Sequence, residues 1–136
     1  MLESHGASRI LASFHDIVPN WIFAGLYFSE SYLAKNPDHV RKVLHGLITS
    51  FDFIESHEKE ARALLPKYTK VEEDLCMLSA LREYAPIEPM ERITSQKNLM
   101  IRYGYIRKDS PLERMFDYRF VREALEGHGA PVGGIK

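Results

Sequence analysis

Cysteine occurs once, at Cys76, so no disulfide can close within the chain and no thiolate cluster can hold a metal. No apolar run approaches the roughly 18 residues of a membrane-spanning helix. The opening residues Met1-Leu2-Glu3-Ser4-His5-Gly6 lack the basic flank and apolar stretch of a signal peptide. The expectation is therefore a cytoplasmic protein, or a fragment whose signal lies elsewhere. Neither sign of charge dominates, with 18 basic residues against 19 acidic. That balance provides no footprint for nucleic acid and no polybasic patch for a membrane surface. Glycines 127, 129, 133 and 134 neither follow a strand nor open a helix, so they do not form a phosphate-binding loop.

What remains is ordinary for a globular chain: 136 residues, 45% hydrophobic and 27% charged. The length suits one domain with one core. Residues 8–14 (SRILASF) and 22–28 (IFAGLYF) read as short strands, the second apolar enough to be buried on both faces. Between them, Pro19 and Asn20 mark a connector. Two strands are too few for a stable sheet, so partner strands are expected from outside these residues or from a second chain.

Beyond Ser29 the periodicity is helical. Residues 29–35 form a short helix, and Asn36-Pro37 supplies an N-cap and a first-turn proline for the next. Val40, Val43, Leu44, Leu47, Ile48, Phe51 and Ile54 make one apolar stripe in a helix reaching about His57. A short helix over 58–65 follows. Thr69 and Glu72 then match a capping box for a helix carrying Val71, Leu75, Leu78 and Leu81 inward. Residues 90–103 form a helix that Gly104 ends. Ser110, Pro111 and Glu113 open a last helical stretch through Leu125. Residues 127–136, with four glycines and a proline, read as a flexible tail after a unit spanning 1–126. The expected architecture is a mainly helical α/β fragment, two short strands followed by five or six helices.

The run Ser29-Glu30-Ser31-Tyr32-Leu33-Ala34-Lys35-Asn36-Pro37-Asp38-His39-Val40-Arg41-Lys42-Val43-Leu44 is similar to the solute-binding proteins of ABC transporters. The branch it resembles takes nitrate, sulfonates, taurine and thiamine-pyrimidine precursors. Ser56-His57-Glu58-Lys59-Glu60-Ala61 resembles that family's next helix start, and residues 103–125 its closing helices. The resemblance covers residues 8–126 and lies in the order and spacing of the motifs. It implies the C-terminal portion of a type II periplasmic binding protein fold. A small-molecule ligand, an ABC permease as partner, and a periplasmic or lipid-anchored location for the full-length protein follow from it. The other reading is a small helical homodimer, joined through its unpaired strands and without a small-molecule ligand.

Ligand contacts in such a cleft come from loops near strand ends, which selects Asp16, Asn20 and Trp21. An indole can stack on a planar ligand, and an amide both donates and accepts hydrogen bonds. Catalytic, cofactor and metal roles are not assigned. His39 and His45 lie six apart on one helix and point apart, so solvated histidines are expected. Cys76 among Leu75, Met77 and Leu78 reads as a small core hydrophobe. Glu72, Glu73 and Asp74 fall in a first helical turn, where carboxylates favour the dipole without any catalytic purpose. The basic and aromatic segment 102–108 reads as a helix end entering a loop.

Overall fold

The computed structural model describes residues 3, 5–112 and 115–128. Among these residues it holds seven helices and no strand. They are α1 (Phe14–Ile17), α2 (Glu30–Lys35), α3 (Pro37–Ser56), α4 (Glu58–Tyr68), α5 (Glu73–Leu78), α6 (Met90–Arg102) and α7 (Arg119–His128). The fold is helical, which overturns the expected α/β fragment with two strands.

The physical reason lies in the two segments themselves. Residues 8–13 and 21–29 run without a turn or bend, but no described strand lies beside them. An extended backbone without a ladder partner leaves its N–H and C=O groups to water. Ile10, Leu11, Phe23 and Tyr27 are strongly exposed, so the apolar character that suggested burial has nothing to bury against. The first segment is also cut short. The Ser13 hydroxyl accepts from the His15 N–H and caps α1, which takes up part of the expected connector.

The helical part follows the sequence more closely. Ser29 accepts from the Tyr32 N–H and opens α2. Asn36 then forms the junction into α3, but its amide donates back to the Tyr32 carbonyl rather than capping forward. Pro37 occupies the first turn of α3, where its missing N–H costs nothing. Contrary to the expected stop, α4 runs through Pro66 to Tyr68. Thr69 Oγ1 accepts from the Val71 N–H two residues on, so no capping box forms, and α5 begins only at Glu73. It ends at Leu78, before Leu81. Gly104, at φ +77°, follows the C-cap Tyr103 of α6, a left-handed position that favours glycine. Glu113 and residues 129–136 lie outside the described residues, and α7 itself includes Gly127 and His128.

The main packing seam joins α3 to α7, with α2 and α4 flanking α3 and α5 against α4. Ile48 meets Val121, Ala124 and Leu125 at its centre, and Leu44, Ile87 and Tyr118 close over them. Polar pairs border the seam at both ends. Arg41 Nε donates to Glu123 at 2.5 Å, and His128 lies 2.5 Å from Asp52. The Glu123 hydrogen bond is the main reason the Arg41 guanidinium is held above its ordinary pKa. Asp117, just before α7, is held below the usual carboxylate value by hydrogen bonds from the Arg119 side chain and backbone. Cys76 is buried as expected, on α5.

Candidate functional site

The cleft that follows from this arrangement lies between the connector before α2 and the first half of α6. Asn20 adopts φ +61°, a left-handed conformation that asparagine tolerates better than most residues. It turns the chain sharply after Pro19 and lays Trp21 beside α6. Phe14 supports Trp21 from behind, ring edge to ring face at 5.5 Å.

Gln96, in the middle of α6, fixes this geometry. Its Oε1 accepts from the Ile22 N–H at 2.8 Å, and its Nε2 donates to the Ile22 carbonyl at 3.1 Å. A side-chain amide thus makes the two bonds that a neighbouring strand would make to one residue. On its inner side α6 also buries Ile93. It has no extensive packing against another helix among the described residues, although Lys97 pairs with Asp109 at 2.5 Å.

The resulting cleft has a volume of about 660 Å³, with Val18, Pro19, Asn20 and Trp21 on one wall. The α6 wall presents Glu91, Arg92, Ser95, Gln96 and Leu99. Apolar surface from the indole and Leu99 therefore faces a guanidinium, a hydroxyl and amides. Arg92 Nη1 lies 3.8 Å from Glu88 Oε2, an ion-pair distance too long for a hydrogen bond. That carboxylate oxygen is buried and has no hydrogen-bond partner. Among the described residues Arg92 therefore has no tight internal pair. Behind it, the Tyr118 hydroxyl donates to the Glu88 carbonyl at 3.3 Å. Burial, and then the Glu88 carboxylate, push the Tyr118 hydroxyl above its ordinary pKa.

Of the residues selected from sequence, Asn20 and Trp21 come together at this cleft, whereas Asp16 sits on exposed α1 and is not part of its lining. Arg92, Ser95, Gln96 and Leu99 escaped the sequence reading. Their signal was one stripe at three- and four-residue steps that mixes polar groups with a leucine, unlike a pure core face. Only two of the histidines meet. His39 Nδ1 lies 2.6 Å from the Tyr32 hydroxyl, while His45 faces His128 ring to ring at 5.2 Å. Among the described residues no three histidine, cysteine or carboxylate groups gather to hold a metal. No described helix is long and apolar enough to cross a membrane.

The clamp can be tested without any ligand, because Trp21 is the sole tryptophan. Gln96→Glu keeps the acceptor for the Ile22 N–H but sets a carboxylate against the Ile22 carbonyl. Its tryptophan emission is expected to move to longer wavelength at neutral pH. Acidification should restore the original spectrum by returning a donor, while Gln96→Met should stay shifted at every pH. Comparison with known proteins returns no matching family model, no curated relative and no similar solved structure.

Proposed function

We propose that this chain recognises a small solute in the cleft between residues 18–21 and α6, as part of the binding component of an ABC-type importer. The observation that carries this reading is the meeting of Trp21 and Asn20 with Arg92 and Ser95 around about 660 Å³ of space. Small-molecule sites have this size and this combination of an apolar face with a few convergent polar groups. The indole suits a planar or apolar body, and Arg92 suits an anionic group through its forked donors. Nitrate, a sulfonate or a pyrimidine-like ligand meets one or both demands. The similarity of residues 29–44 to solute-binding proteins supports the same class. It also carries the permease partner and the extracytoplasmic location of the full-length protein. The ligand is taken between a connector and a helix, because the sheet that would present it at strand ends does not form.

Titration with an aryl sulfonate, nitrate and a pyrimidine, followed by Trp21 emission and by thermal shift, tests the reading. A true ligand at 100 times its Kd stabilises the fold by about 2.7 kcal/mol. Trp21→Ala and Arg92→Met should each weaken binding at least tenfold while circular dichroism stays unchanged. If none of the three classes alters emission or melting, or if both variants bind as the parent does, the proposal fails.

A further inference from the structure

Beyond the cleft residue Trp21, the segment through Phe28 belongs neither to the cleft nor to the core. The segment runs without a turn or bend, and beyond Ile22 its backbone makes no hydrogen bond with any described residue. From Ile17 to Ser29 there is no charged residue. Phe23 is 73% exposed and Tyr27 81% exposed, with Leu26 also largely in water. In extended backbone the N–H and C=O of one residue point to the same edge, and successive residues alternate edges. Gln96 occupies the edge shown by Ile22, which is the edge of the even-numbered residues. The edge of Phe23, Gly25 and Tyr27 is open.

We propose that this open edge pairs with its own counterpart in a second copy, antiparallel and centred on Gly25. Among the described residues the monomer contains no strand, and the ladder exists only across the two copies. The register follows from the sequence. With Gly25 facing Gly25, Phe23 lies opposite Tyr27 of the second copy and Tyr27 opposite its Phe23. These aromatic cross-strand pairs are among the favourable ones. The opposite face pairs Ile22 with Phe28 and Ala24 with Leu26, all apolar. Without charge in the segment, no like charges come together on the two-fold axis, as the isologous contact requires. Glycine at the axis leaves room for the Tyr27 ring, whose hydroxyl lies 3.3 Å from where a Cβ on Gly25 would stand. Each segment is already anchored to α6 through the two Gln96 hydrogen bonds, a tie that a bare two-stranded ribbon lacks. Arg82 completes the frame, its guanidinium carbon 3.6 Å from the centre of one face of the Phe23 ring. The other face is left for the incoming Tyr27.

The pairing needs no ligand, so its test stands apart from the solute proposal. Sedimentation equilibrium of the full chain at tens of micromolar should give a dimer of the 15.7 kDa chain. Gly25→Pro removes the central donor and should weaken dimerisation at least tenfold, with helical circular dichroism preserved. Protein carrying Ala24→Cys, mixed and oxidised with protein carrying Leu26→Cys, should give a covalent dimer. Neither variant alone should crosslink comparably, and buried Cys76 in the parent provides the background. A parent that sediments as a monomer overturns the proposal. So does a Gly25→Pro dimer of parental strength, or crosslinking that ignores the register. A monomer that instead captures the edge of a foreign β-sheet would move the site to a different partner and also count against it.

Discussion

Ile48→Ala is expected to destabilise the protein by about 2–5 kcal/mol, the usual cost of truncating a fully buried isoleucine and leaving a cavity. Ile48 is only 3% exposed, at the centre of the α3–α7 seam. Its buried neighbours Val121, Ala124 and Leu125 all come from α7, so the truncation opens the contact between α3 and α7 directly. A domain has about 5–15 kcal/mol of stability in total. The variant should therefore melt far below the parent, or lose its cooperative transition in urea altogether. A change below about 1 kcal/mol would mean that the seam does not hold the fold.

The second large effect is expected at Arg62→Met. The Arg62 side chain is 13% exposed and pairs with Glu58 at 2.7 Å. Its guanidinium also donates to the Cys76 carbonyl at 3.1 Å and to the Ser79 carbonyl. These carbonyls lie at the C-terminal end of α5, where helix acceptors have no partners within the helix. One side chain thus ties the end of α5 to α4 beside their packing contact. Methionine preserves the aliphatic packing but leaves the part-buried Cys76 acceptor unsatisfied, a loss of about 1–3 kcal/mol. Arg62→Lys should recover only part of it, because an ammonium lacks the forked geometry that reaches two acceptors. Urea denaturation of both variants measures the difference, and faster hydrogen exchange in α5 than in α3 would place the loss.

The helices were legible where a stripe and a cap agreed. For α3 there were seven apolar positions and a first-turn proline, and only its last residue shifted. At Ser29 and Gly104 the local chemistry was enough, because one hydroxyl and one left-handed position decide those boundaries. Thr69-x-x-Glu72 shows the limit. Thr69 bonded to a nearer N–H, as short hydroxyl side chains often do in competition with a cap. The strands failed for a different reason. Periodicity reports what a segment could bury, and 22–28 is apolar enough for a sheet, but a strand also requires a neighbour. The cleft was half legible: the turn at Asn20 and the indole beside it stood out, while Arg92 and Gln96 looked like the surface of an unremarkable helix.

The seam between α3 and α7 also constrains the order of assembly. Arg41 finds Glu123 across 82 residues, and Asp52 finds His128 across 76. A nascent chain can wind α3 early, but the part of its apolar stripe around Ile48 stays uncovered until α7 has been made. Closing so long a loop comes before the contacts that reward it. The core around Ile48 therefore forms only once α7 has followed α3 out of the ribosome, about 80 residues later.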